Sequence, residues 1–481
     1  MERKGTSGLS LLLIIAALLL SNGCRSRVPG PVEPGSLFSS SGESTVRELG
    51  IYSGNERVGD LSFTIRKGAW EGRPEVTELT ESVHLRISFR GEKFSLRSDQ
   101  TAWIDDDLVL LGGRGLMDFG AGRWETRIIL EGGGRYEVVQ STLGGEKREL
   151  VTVPQGTIIS DVLPLYLNRH PGEEGKRREL TVFNMNLAQE IPFTSTYGGV
   201  TPDGRLFTVQ YWGMEERIWF DAEGVVNREE MALGVQARIP KEDEKRGHLA
   251  LEKVLTRTAV PAAGIPEDIG QRDEVLLALE GSFRTPPSGP WQMVKMEGDR
   301  AMARLVRPSV PPTGRREPDP RMMPEDGFAL DLDSTRIRDL AARITEGITD
   351  PWDKAVAIGH WVNSSLRKSM RECFSALQVL ETGEGECQSH SLLTVALSRA
   401  SGIPARFAYG VVYMPDHGSY LFHTWVEVYT GEWIPIDPTL GDFPSGVDHL
   451  TLAVGSYRDQ FRVFPYIMTK GGWRISLADF H

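Results

Sequence analysis

From Glu48 to about Ile239 the chain alternates apolar and polar residues with a period of two. Leu61, Phe63 and Ile65 interleave with Ser62, Thr64 and Arg66; Val83, Leu85, Ile87 and Phe89 interleave with His84, Arg86, Ser88 and Arg90. Trp124–Leu130, Leu206–Tyr211 and Arg217–Phe220 keep the rhythm, the last running into an Asp221-Ala222-Glu223-Gly224 turn. This pattern predicts antiparallel strands with one buried and one polar face. Ile158 to Leu167 breaks it with an apolar run, expected to plug the sheet, in which Pro164 opposes a continuous helix.

The rhythm then changes. Glu274 to Val306 reads as a short β region interrupted by Thr285-Pro286-Pro287-Ser288-Gly289-Pro290, and Arg307 to Pro324 is a Pro-rich linker. Beyond it, helical spacing appears over Ser334–Glu346 and Pro351–Lys368. It returns after Cys387, where Leu392, Leu393, Val395, Ala396, Leu397 and Ala400 share a helix that Gly402 and Pro404 stop. Leu421–Val428 and Glu432–Asp437 then read as strands. The expected fold is α+β: an antiparallel β-rich module over 48–260, a short β region over 261–306, a linker over 307–324 and an α+β domain over 325–481.

Composition narrows the classes. The 481 residues are 40% hydrophobic and 25% charged, ordinary for globular protein and long enough for two or three domains. A formal net charge of −12 argues against nucleic acid, which needs a basic surface. Three cysteines build no disulfide framework, so the fold rests on burial. No Cys/His group has zinc-ligand spacing and no phosphate-cradling Gly loop precedes a helix, so neither metal nor cofactor is expected.

The candidate chemistry centres on Cys387, in Gly383-Glu384-Gly385-Glu386-Cys387-Gln388-Ser389-His390. A thiol in the first turn of a helix meets unpaired N–H groups and a dipole that favour the thiolate and steady an oxyanion. His423 follows on one strand and Asp437 on the next, the set a thiol nucleophile needs for base and orienter. If Val428 pairs with Glu432 across Tyr429-Thr430-Gly431, His423 falls directly opposite Asp437, within hydrogen-bonding reach. A buried structural cysteine, a disulfide to Cys373 and a non-catalytic binding module are the competing readings. His390, on the same helix face as Cys387, either tunes the site or packs, and His449 after Asp448 either lines the cleft or faces solvent.

Residues 335–455 resemble the transglutaminase-like superfamily of papain-like Cys-His-Asp enzymes. The resemblance rests on Ser375-Ala376-Leu377-Gln378-Val379-Leu380, Gly385-Glu386-Cys387, Ala400-Ser401-Gly402-Ile403-Pro404-Ala405-Arg406, His423-Thr424-Trp425-Val426-Glu427-Val428 and Trp433-Ile434-Pro435-Ile436-Asp437-Pro438-Thr439. Thr424 departs from the family's usual Ala. The resemblance implies Cys387 as nucleophile, His423 as base and acid, Asp437 as orienter, and a protein or peptide substrate. It implies a peptidase or amidase, with amine-transferring cross-linking as the alternative. The N-terminal half resembles the periplasmic lipoprotein-carrier fold, which implies an apolar ligand in the β module.

Arg3 and Lys4 followed by the apolar run Leu9–Leu20 form an export segment over 1–24. It resembles a bacterial lipoprotein signal ending at Gly23-Cys24, with Ser21 and Asn22 departing from the preferred residues. The resemblance implies lipidation of Cys24, a flexible tether over 25–47, and a periplasmic or outer-membrane lipoprotein held at the membrane by its anchor.

Overall fold

In the computed structural model the described residues are 44–120, 122–185, 189–220, 226–281, 283–310, 329–370, 373–467 and 472–479. The lipid-attachment candidate Cys24, most of the tether, the Asp221–Gly224 turn and most of the Pro-rich linker lie outside them. The chain divides into two compact units, one built mainly from residues up to Glu252 and the other from Lys253 onward.

The first unit is one long sheet. Eight strands from Thr45–Ser53 to Gly145–Thr152 form an antiparallel meander in chain order. Seven more, from Ile158–Ile159 to Val235–Arg238, run back, and the last pairs with the first, Gly50 against Arg238 and Ile51 against Ala237. The alternating apolar positions point inward: Leu61, Phe63, Ile65, Val83, Leu85 and Ile87 are all buried. The apolar break at 158–167 does plug this interior. Ile159, Val162 and Leu165 pack with Ile104, Ile128, Val138 and Phe183. Pro164 does not prevent a helix there, because it occupies the first turn of Leu163–Arg169, where a missing N–H costs nothing. The inward face also carries carboxylates: Glu81, Glu216 and Glu229 are buried among the apolar residues, with Tyr211 donating to Glu216 at 2.8 Å.

The second unit is organised on a nine-stranded sheet. Its strands are β1 (Val260–Ala263), β2 (Glu274–Gly281), β3 (Gln292–Glu297), β4 (Arg300–Val306), β5 (Ala405–Met414), β6 (Ser419–Tyr429), β7 (Trp433–Ile436), β8 (His449–Gly455) and β9 (Trp473–Ala478). They lie in the order β3-β4-β2-β9-β1-β6-β5-β8, with β7 beside β6. The sheet thus takes strands from both sides of the Pro-rich segment. The helices with it include α1 (Thr335–Ile344), α2 (Pro351–Ser365), α3 (Ala376–Thr382) and α4 (Cys387–Ala400). Pro351 starts α2 behind Asp350, whose carboxylate accepts from the N–H groups of Trp352 and Asp353. Every residue of α4 from Cys387 to Ser398 is buried, so α4 is a central helix rather than an amphipathic surface one.

Candidate active site

Local sequence sets each part of the site. Ser375 caps α3, and Gly383 ends it in the left-handed conformation that suits glycine. The chain then crosses Gly385 (φ +149°), where a Cβ would overlap the Ser389 side chain, and enters α4 with Cys387 as its first residue. Ser391, one turn on, donates to the Thr424 carbonyl at 3.1 Å, which pins α4 to β6 beside His423. Gln388 donates to Tyr457 at 2.6 Å, anchoring the first turn from another direction. Neither Cys387 nor Cys373 is in a disulfide and both are fully buried, so the disulfide alternative is not realised. The Cys387 sulfur is therefore closed to solvent.

The β6–β7 hairpin differs from the sequence expectation by two residues. Tyr429 pairs with Trp433, Val428 with Ile434 and Val426 with Ile436, so the loop is Thr430-Gly431-Glu432, with Gly431 at φ +117°. Continued by one pair, that register sets Asp437 against Trp425 instead of His423. A two-residue shift leaves every side chain on its expected face, so His423 and Asp437 still meet, diagonally. His423 Nε2 lies 2.7 Å from Asp437 Oδ2, with both side chains fully buried. Across the sheet Gly410 pairs with His423, and a Cβ there would collide with the Leu450 carbonyl and the Trp425 ring.

Asp437 is tied at both oxygens. Oδ1 accepts from the backbone N–H of Thr439 at 2.7 Å and of Leu440 at 3.0 Å. Oδ2 accepts from His423 and from a second imidazole, His449 Nε2, at 3.1 Å. The other nitrogen of His449 lies 2.8 Å from Asp448 Oδ1. Asn363 of α2 donates to the carbonyls of Pro438 and Thr439, holding the turn after β7 in place. Burial alone would raise the Asp437 pKa, but the charge and hydrogen bond of His423, together with those of His449, hold it well below the usual carboxylate range.

This arrangement fixes the chemistry of His423. Its Nε2 faces an ionised carboxylate, so the neutral ring carries its proton there. Nδ1 then bears the lone pair, and this buried atom has no hydrogen-bond partner. His423 Nδ1 therefore makes no hydrogen bond to the Cys387 thiol. Burial pushes His390 down to about 4, so it is a neutral ring at pH 7, with Nδ1 2.9 Å from the Glu386 carbonyl.

Sequence reasoning weighed His449 but did not place it in the carboxylate network. Its adjacency to Asp448 was the only signal, because an irregular segment separates it from Asp437. His423, Asp437 and His449 bring ligand-type atoms within 4.8 Å of one another. One carboxylate oxygen already serves both imidazoles, so the cluster is a completed hydrogen-bond chain and we assign no metal to it. Glu427, on the face of His423 and Trp425, pairs with Pro435 and binds Arg406 Nε at 2.7 Å. Arg406 in turn lies 4.1 Å over the Trp433 ring.

Residues 338–438 match the family model of the transglutaminase-like superfamily, a span that includes Cys387, His423 and Asp437. A curated protein of Mycobacterium leprae, itself uncharacterized, is 28% identical over 142 residues, covering 27% of this chain and 49% of that protein. The chain thus spans about half the length of that relative. A protein of Cytophaga hutchinsonii described as a candidate cysteine protease aligns over 43% of this chain and 86% of its own, at 16% identity and TM-score 0.28. A β-barrel-like protein of a domain of unknown function from Brucella abortus aligns over 41% and 95%, at 14% identity and TM-score 0.31.

Proposed function

Taking residues 338–438 as a transglutaminase-like domain, we propose that the protein is an exported thiol hydrolase of the cell envelope, a cysteine peptidase or amidase. Cys387 is its nucleophile, His423 its base and acid, and Asp437 its orienter. The observation that carries this reading is the buried 2.7 Å bond from His423 to Asp437, which leaves Nδ1 as the free basic atom.

In the first step His423 Nδ1 takes the Cys387 proton and the sulfur attacks an amide carbonyl. Backbone N–H groups at the start of α4 receive the oxyanion. The tetrahedral adduct collapses, the C–N bond breaks, and His423 returns its proton to the departing amine. A thioester remains on Cys387. Water, deprotonated by His423, releases the acid and regenerates the thiol; an amine in its place gives transfer. In the same reading Cys24 carries lipid that holds the protein at the membrane, and the β module holds an apolar ligand.

Iodoacetamide labelling resolved by peptide mass spectrometry tests the enzyme reading. Cys387 and Cys373 are equally buried, so a difference in rate reports activation and local access rather than static exposure. Fast alkylation of Cys387 at neutral pH with little at Cys373 is expected; equal, slow labelling of both defeats it. Incorporation of a primary amine into a glutamine peptide, in preference to hydrolysis, would move the assignment to acyl transfer.

A further inference from the structure

His449 is the first residue of β8, and both of its ring nitrogens point at carboxylates: Nε2 at Asp437, 3.1 Å, and Nδ1 at Asp448, 2.8 Å. An ionised carboxylate only accepts hydrogen bonds, and a neutral imidazole has one N–H and one lone pair. Only the doubly protonated ring satisfies both contacts. Asp437 and Asp448 are 0% and 1% exposed, so a neutral ring would also leave two buried anions short of a cation.

We propose that His449 is a positioning residue: a standing imidazolium, clamped by Asp448, that orients and charge-balances Asp437 for the Cys387–His423 pair. The inference rests on the proposed thiol chemistry of that pair. With His423 protonated, as it is after taking the thiol proton, the buried chain His423–Asp437–His449–Asp448 alternates plus and minus and sums to zero. Burial opposes the charge on His449, but the Asp448 carboxylate and the hydrogen bonds to Asp437 and Asp448 outweigh it and hold the pKa up at about 10.

The other groups around the ring do not supply that charge. From β6 come His423, 6.1 Å away between ring centres, the edge-on Trp425 ring at 5.1 Å, and Tyr420, which feels Asp448. The pocket that His449 lines also holds Arg406 and Glu427, which bind each other. Across α4, His390 is neutral at pH 7.

The test uses the full-length protein and three samples: wild type, His449→Gln and Asp448→Asn. Histidine NMR should show the His449 ring of wild type doubly protonated at pH 8. The pH profile of Cys387 alkylation by iodoacetamide should move upward in His449→Gln by about one to two pH units, because a cation 6.1 Å from the His423 ring has gone. Asp448→Asn keeps an acceptor for Nδ1–H but weakens the hold on its proton. Its profile should follow wild type at low pH and His449→Gln at high pH.

A purely structural role for His449 would lower stability and leave the profile in place, which overturns the inference. So does a neutral His449 in wild type at pH 7. If His449→Gln does not fold, the NMR result and Asp448→Asn decide the matter. Should wild-type Cys387 titrate like an ordinary thiol, near pH 8.5, the proposed catalytic reading itself fails. That outcome is distinct from an activated wild type whose profile ignores His449.

Discussion

Asp437→Asn is the substitution that most directly tests how the site is wired. The carboxylate accepts four hydrogen bonds, two at each oxygen. An amide keeps one accepting oxygen and replaces the other with a donor. If the oxygen stays on the Thr439 and Leu440 N–H groups, the NH2 faces His423 and His449. His423 must then present its lone pair at Nε2, which moves its proton to Nδ1 and removes the basic atom from the thiol side. If the amide flips, His423 keeps its tautomer but two backbone N–H groups lose their acceptor. Each unsatisfied buried donor costs about 1–3 kcal/mol, so the flipped amide destabilises the domain by about 2–6 kcal/mol. Loss of the orienting carboxylate in a serine-protease triad lowers kcat by about 10⁴; a Cys–His pair should lose somewhat less, because a thiol is intrinsically more acidic. The assay is Cys387 alkylation and peptide or amide turnover, beside urea unfolding followed by tryptophan fluorescence. Glu427→Gln is the comparison. It weakens the pair with Arg406 and should cost stability while keeping turnover within a few-fold. Near wild-type turnover in Asp437→Asn, with a folded but inactive Glu427→Gln, would transfer the orienting role to Glu427 and refute the assignment.

The remaining predictions concern pH, the approach to α4 and the membrane. His449 titrates near 6.5 unfolded and about 10 folded, so its contribution is complete below pH 6.5 and is lost as pH rises towards 10. That is worth up to about 5 kcal/mol, and urea midpoints should fall across this window in wild type but much less in His449→Gln. Gly385→Ala should lower both stability and Cys387 reactivity, since the added carbon meets Ser389 at a backbone angle disfavoured for alanine; unchanged alkylation would show that the entry to α4 adapts. Cys24→Ala should release the protein from the membrane fraction or leave an uncleaved precursor, as fractionation and intact mass would report. Unchanged partitioning with normal processing would remove lipid as the anchor.

Much of the site was legible in the sequence because its parts sit on regular elements. The helix after Cys387 followed from apolar spacing and the Gly402–Pro404 stop. The shared face of His423 and Asp437 followed from strand alternation, and alternation is why it survived an error of two residues in the hairpin. That error came from placing the loop at Tyr429–Gly431 instead of Thr430–Glu432, a choice that a glycine at either loop position allows. His449 was harder, because eleven residues including an irregular turn lie between it and Asp437, and no periodicity crosses such a segment. The buried Glu81 sat in plain view between Leu79 and Val83 on an apolar face. A carboxylate on an apolar face is legible as a residue type, but local pattern does not say what surrounds it.

The course of the first unit's sheet has a mechanical consequence. Its outermost strands, Gly145–Thr152 and Ile158–Ile159, are consecutive in the chain. Five residues join them, a span of at most about 20 Å, so the sheet must curl until its two margins nearly touch. Among the described strands no ladder bridges them. Val151 and Ile159, one from each margin, share the same apolar cluster instead. The wall is therefore closed along every line but one by directional bonds, and along that line by grease and a short leash. Widening a laddered barrel means breaking N–H···O bonds. Widening this one means sliding methyl groups, and 153–157 sets how far the seam can open.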